Sequence, residues 1–235
     1  LAELFLVEPT ERLLVLTLAR VDHQHLDVRR LRRFGTGRRE RLVEADLALH
    51  ALEQPFLNET GERVLRELAR QGDETLAGYK ISRLEHGLQS ATRALNDGAD
   101  IDWIVAALLH DIGDGLAPQN HDKMAAEIVR PFVRDEVSWT VEHHGVFQMV
   151  YYAEHDGGDP EKRQEFKDSP YYQSCVDFCE RWDQSSFDPD YPMKDLAFFA
   201  PMVREVFARK AYDDAHMQPG VVAGVPAGTD QAAAT

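Results

Sequence analysis

From Leu84 onward, apolar residues recur at three- and four-residue spacing, and the breaks between runs carry helix start and stop residues rather than strand signals. Leu84–Leu95 reads as an amphipathic helix stopped by Asn96-Asp97-Gly98. Asp102 is placed to cap the next helix, Trp103 to Ile112, which Gly113 ends. Asn120 is placed to cap a third, His121 to Val133, which Pro131 should kink or end early. Asp135 opens a fourth that runs through Trp139 and His144 to Tyr151. A short helix over Pro160 to Lys167 precedes Ser169-Pro170, which opens a helix from Tyr171 to Gln184, and Leu196 to Lys210 closes the series. Residues 41–70 also show helical spacing, through Leu47, Leu52, Val64, Leu65 and Leu68. No stretch alternates over the length of a strand. These features predict an all-α domain over residues 71–212. An N-terminal extension, 1–70, is expected to be partly helical or disordered. A tail, 213–235, is rich in Gly, Ala, Pro and Val and is expected to be disordered.

Charge narrows the partners. The net charge is −15, and all of it lies beyond residue 70, where 29 acidic residues face 14 basic ones. Such a body repels nucleic-acid phosphate and suits a small molecule or a cation better. One basic run, Arg29 to Arg41, holds seven Arg in 13 residues; it reads as a solvated arm, with an acidic-partner patch as the functional alternative. Residues 1–79 hold 12 Arg and no Lys, so roughly the first forty residues are expected to be foreign to the native protein. No run of apolar residues is long enough for a membrane span. The start lacks the basic region and cleavage site of a secretory signal. Cys175 and Cys179 are expected to be buried thiols, and the compartment a reducing cytoplasm.

The residues that carry chemistry centre on His110-Asp111, which follow the apolar run Ile104 to Leu109. Adjacent residues on a helix point about 100° apart, so the two do not face one small molecule together. Near a helix end, however, both can reach one metal, with the second carboxylate oxygen free to bridge another. A buried charge of this kind must be paired or metal-bound. Further imidazoles and carboxylates recur one per helix: His86 before the pair, then His121, then His143 and His144, then Asp183. Such donors suit first-row transition metals.

In this order, His86…His110-Asp111…His121…His144…Asp183 resembles the HD-domain superfamily, a helical metal-dependent group. The resemblance covers Gly78 to Ala208 and includes LEHGLQSA, LLHDIGD, NHDKMAAEIVRPFV and CERWDQ. Most members are phosphohydrolases, but six ligands in this order are similar to the oxygenase branch, which includes myo-inositol oxygenase and the hydroxyphosphonate-cleaving oxygenases. The resemblance implies an HD-domain helical bundle holding two Fe ions as Fe(II)/Fe(III). His86, His110 and Asp183 would bind one iron, His121 and His144 the other, and Asp111 would bridge them, with His143 as the competing choice for His144. It also implies O2 as co-substrate and cleavage of a C–C or C–P bond beside the hydroxylated carbon of a small molecule.

Some positions depart from that branch. Asp114 stands where myo-inositol oxygenase has a Lys and the phosphonate enzymes a His; an acceptor there would favour a cationic or hydroxylated substrate. Gln148 replaces the Lys that meets phosphonate. The Tyr and Glu that precede the first His correspond to Leu76 and Tyr79, of which Tyr79 is expected to cover the metal site or pack in the core. Arg181 is expected to meet an anionic group or lie exposed. The alternative reading is an HD-type phosphohydrolase, which would activate water at the metals to attack a nucleotide or other phosphomonoester. A catalytically idle metal- or ligand-binding regulator is a third.

Overall fold

The computed structural model describes residues 36–73 and 78–228. The chain divides into two compact units, residues 1–57 and 58–235. In the first unit, α1 (Thr36–Asn58) leaves Leu47, Leu52 and Phe56 exposed. Of the basic run, Arg29 to Arg33 lie outside the described residues and Arg38, Arg39 and Arg41 fall in α1; Leu76 also lies outside them. No strand occurs among the described residues, and none of their helices is long and apolar enough to cross a membrane.

The second unit is a helical bundle. Its helices are α2 (Thr60–Gln71), α3 (Arg83–Asn96), α4 (Ile101–Leu109), α5 (His121–Val129), α6 (Asp135–Asp156), α7 (Tyr172–Phe178), α8 (Leu196–Phe207) and α9 (Asp214–Met217). α2 belongs to this bundle and not to an extension ending at residue 70. Val64, Leu65 and Leu68 are buried in the core, and the helix packs against α8. Burial of that apolar stripe outweighs the polar composition of the segment.

Helix starts are set by side chains. Ser82 opens α3 with a reciprocal cap: its hydroxyl accepts from the Glu85 amide at 3.2 Å, and the Glu85 carboxylate accepts from the Ser82 amide at 2.6 Å. α4 is capped by Asp100, whose Oδ1 accepts from the amides of Asp102 and Trp103. The expected cap, Asp102, is instead buried and paired with Arg209 at 2.7 Å and Arg134 at 3.4 Å. The Asn120 side chain makes no capping bond; a short 3-10 turn, Pro118–Asn120, leads into α5. α5 stops at Val129, two residues before Pro131.

α4 is the central element. All but one of its residues are buried, which explains why its sequence is apolar all round. It packs on α3 through Gly87: a Cβ there would lie 2.6 Å from the Leu108 carbonyl oxygen. Past the end of α4, Gly113 allows a second close approach, since a Cβ there would lie 2.8 Å from the His121 Cα at the start of α5.

The segment after α8, described through residue 228, is bonded to the bundle, in contrast to the disordered tail expected over residues 213–235. It lies along the bundle with the Trp103 indole donating to the Gly224 carbonyl and the amides of Ala223 and Gly224 donating to Glu136. Glycine and alanine make this strip narrow enough for its backbone to bond directly to buried side chains.

The substitution Gly87→Ala should separate α3 from α4 and cost about 1–3 kcal/mol, as overpacking does. A urea unfolding curve would read this as a lower midpoint with unchanged slope.

Candidate metal centre

Four helices and one widened turn converge on Asp111. His110 closes α4 and Asp111 begins the turn that follows, so the pair is freed from continuous helical geometry. His86 lies in α3, His121 is the first residue of α5, and His144 is on α6. Asp183 ends a π-helical turn, Cys179–Asp183, that continues α7. π-turns are rare and concentrate at functional sites, because the extra residue per turn redirects a side chain.

The donor atoms form two groups around one carboxylate. In the first, Asp183 Oδ1 lies 3.2 Å from His86 Nε2 and 3.4 Å from His110 Nε2. Asp111 Oδ2 completes that group at 3.5 and 3.6 Å from the same nitrogens. In the second, Asp111 Oδ1 lies 3.3 Å from His121 Nε2 and 3.2 Å from His144 Nε2. Donors about 2.0–2.1 Å from one ion stand about 3.0 Å apart at a right angle and about 3.4 Å apart at a tetrahedral angle. The spacings here match those edges.

The proton positions favour the same conclusion. Each imidazole turns Nδ1 toward a backbone carbonyl: His86 to Ser186 at 2.9 Å, His110 to Ala107 at 2.8 Å, His144 to Val141 at 2.7 Å and His121 to Pro118 at 3.1 Å. A carbonyl only accepts, so Nδ1 carries the proton and Nε2 offers a lone pair. His86 Nε2 and His110 Nε2 then face each other at 3.1 Å, both buried. Two lone pairs at that distance repel unless a cation stands between them. Asp183 Oδ2 is also buried with no hydrogen-bond partner. Four imidazoles and two carboxylates therefore fit a pair of first-row metal ions.

The electrostatics agree. Burial alone would push the imidazoles of His86, His110 and His144 down, but the carboxylates of Asp111 and Asp183 outweigh it and hold all three above the usual histidine value. Burial would likewise push both carboxyls up. The imidazoles, His110 foremost, hold Asp111 and Asp183 below the usual carboxylate range instead. The site attracts positive charge.

The two groups differ in access. His86, His110 and Asp183 are buried, whereas the His121 side chain is 24% exposed. The more open group also has fewer protein donors, which leaves room for further ligands. Beside the buried group lies a pocket of about 440 Å³ lined by Tyr79, Lys80, Tyr152, Phe187 and Pro189 among others. Phe187, which lines the pocket, also stacks on the His86 ring at 4.4 Å.

Other expected site residues fall elsewhere or take other roles. His143 stacks on Trp139 at 4.1 Å and donates to its carbonyl, away from the donor groups. Asp114 is not a free acceptor for substrate: it pairs with Arg83 at 2.8 Å and with His121 Nδ1 at 3.3 Å. Its carboxyl is raised by burial and by the neighbouring Asp111 charge. Arg181 is engaged within the chain, because Asp97 holds its Nη2 at 2.6 Å and Pro226 accepts from its Nη1. Tyr79 is about half exposed at the pocket mouth, with the Arg83 guanidinium 5.2 Å from its ring centre, and does not cover the donor atoms. Gln148, one turn beyond His144, is buried with both amide atoms unpartnered. The thiols of Cys175 and Cys179 are buried and donate to the carbonyls of Thr140 and His144.

Arg83 escapes a reading that searches only for ligands. Its Nη1 lies 3.9 Å from Asp111 Oδ2. Its place three residues before His86, on the same helix face, is the signal that could have found it.

Comparison with known proteins agrees with this geometry. The HD domain family matches residues 83–171. A 1-hydroxy-2-(trimethylamino)ethylphosphonate dioxygenase (glycine-betaine-forming) of Leisingera caerulea is 26% identical over 167 residues, covering 58% of this chain and 85% of the relative. A hydroxymethylphosphonate dioxygenase of Gimesia maris is 34% identical over 86 residues, covering 31% of this chain and 43% of that protein. Residues 83–171 therefore match the HD domain family, and the two relatives that the chain resembles are named as dioxygenases.

Proposed function

We propose that the chain is a di-iron oxygenase that uses O2 to cleave a C–P or C–C bond beside the hydroxylated carbon of a small polar substrate. The observation that carries this reading is the sharing of Asp111, whose Oδ2 faces His86 and His110 while Oδ1 faces His121 and His144. Its ligands would be His86, His110 and Asp183 for one iron and His121 and His144 for the other, bridged by Asp111. Iron bound there would supply the redox and O2 chemistry that side chains lack. The named activities of the two relatives, both hydroxyphosphonate dioxygenases, favour oxygenation over phosphoester hydrolysis.

The remaining roles belong to the chain's own side chains. The more exposed His121 side is where a substrate hydroxyl would arrive. Gln148 has an unpartnered donor and an unpartnered acceptor for it. Arg83 would meet the substrate's oxyanion, replacing from α3 the cation that α6 lacks at Gln148. Asp114 would keep both Arg83 and His121 in place. Phe187 and Tyr152 would exclude water; burial already pushes the Tyr152 hydroxyl up to about 12, so it stays protonated.

Metal analysis and low-temperature EPR on iron-loaded, ascorbate-reduced protein should give about two irons per chain and the signal of an antiferromagnetically coupled Fe(II)/Fe(III) pair. Bound Mn, Ni or Zn together with phosphomonoester hydrolysis would overturn the oxygenase. His144→Ala should abolish the coupled signal, while His143→Ala should keep it. Arg83→Gln should lower kcat/KM on a 1-hydroxyphosphonate about 10- to 100-fold, the size of a lost charge-assisted hydrogen bond, mainly through KM and with iron content retained.

A further inference from the structure

The strip of chain after α9 touches the element that carries Asp183. Gly220 donates its amide to the Tyr171 hydroxyl at 3.2 Å. The amides of Ala223 and Gly224 donate to Glu136 Oε2 and Oε1 at 2.9 and 2.8 Å. Glu136 is fully buried at the start of α6 and also accepts from the Ser174 hydroxyl of α7 at 2.7 Å. The Gly224 carbonyl takes the Trp103 indole N–H at 3.1 Å. The Pro226 carbonyl takes a guanidinium N–H of Arg181, two residues before Asp183. Arg181 and the Trp182 indole both donate to Asp97 Oδ2, at 2.6 and 2.7 Å. Gly228 then passes over this pair so closely that a Cβ there would lie 2.6 Å from both Arg181 Nη2 and Asp97 Oδ1.

These contacts share one consequence. A π-turn is less well bonded than an α-turn and holds its shape only when its surroundings fix it. Here Arg181 and Trp182 are fixed from outside by Asp97 and by the strip, and Asp183 is the next residue. His121 and His144 touch neither the strip nor Asp97 among the contacts of the described residues.

We propose that residues 218–228 form a strap that positions Asp183, so that Glu136 and Arg181 are positioning residues for the His86–His110–Asp183 metal site and not for the Asp111–His121–His144 site. The strap couples the C-terminal segment to the occupancy of one metal position. The inference rests on the metal centre proposed above.

The test is a set of full-length variants titrated with Co(II), read by its visible absorption. His121→Ala isolates the site that contains Asp183, and His86→Ala isolates the other. In each background Glu136→Gln is added; its amide N–H would face the Ala223 or Gly224 N–H and expel the strap without touching either metal site. Arg181→Gln is the second variant, should Glu136→Gln fold poorly. Circular dichroism and thermal unfolding confirm the fold.

Co(II) affinity is expected to fall about tenfold or more in the His121→Ala background, within the range for residues that orient a ligand, and to stay within about twofold in the His86→Ala background. Equal losses in both backgrounds would mean general destabilisation and overturn the strap's role. No loss in either would overturn it as well, while leaving the metal centre standing. A wild-type chain that binds no Co(II) would overturn the centre and the strap together.

Discussion

Commitment of every site imidazole to a backbone carbonyl is the constraint on which the rest of this structure depends. The carbonyls of Ser186, Ala107, Pro118 and Val141 each accept a hydrogen bond from Nδ1–H. Four Nε2 atoms and two carboxylates are thereby turned inward, a set that draws positive charge to it. Such a cluster has the donor chemistry of a site for first-row metal cations. The cost of burying it explains the surrounding shell: α4 is apolar on all sides, Phe178 and Phe187 cover the rings, and Arg83 with Asp114 braces the more open side.

Local helix structure and long-range packing meet at two glycines. Gly87 lets α3 lie against the Leu108 carbonyl, and Gly113 lets α5 begin beside the turn that follows Asp111. The first sets the spacing between His86 and His110, and the second that between Asp111 and His121. The site is therefore as rigid as the packing of its helices. Beside it lie the pocket wall of Tyr79, Tyr152 and Phe187 and the polar side chains of Arg83 and Gln148. Under the function proposed, substrate choice would rest on these residues, because such a donor set suits metal-assisted hydrolysis as well as oxygenation.

Much of the bundle was legible because helix signals are local. Apolar spacing, Gly98 after α3 and Pro131 after α5 each act within a few residues. The errors came where a side chain had a distant partner. Asp102 has the character of a cap but is drawn into the core by Arg134 and Arg209, leaving the cap to Asp100. Asp114 looks free in HDIGD but is taken by Arg83. The tail has the composition of a linker, yet Glu136, Trp103 and Arg181 bind its backbone. Composition gives no sign of that, because every residue carries a main-chain acceptor and all but proline a main-chain donor.

The sequence by itself determined the helical class, the breaks between helices, and the order in which imidazoles and carboxylates follow one another. All three depend on backbone propensity and spacing, which act over one or two turns. Only the tertiary structure decided which atoms meet. It divided the oxygens of Asp111 between two imidazole pairs, chose His144 over His143 to face Asp111, paired Arg181 with Asp97, and brought Arg83 beside the site. Those outcomes depend on contacts between residues tens of positions apart, where a shift of an ångström in helix packing makes or removes a bond.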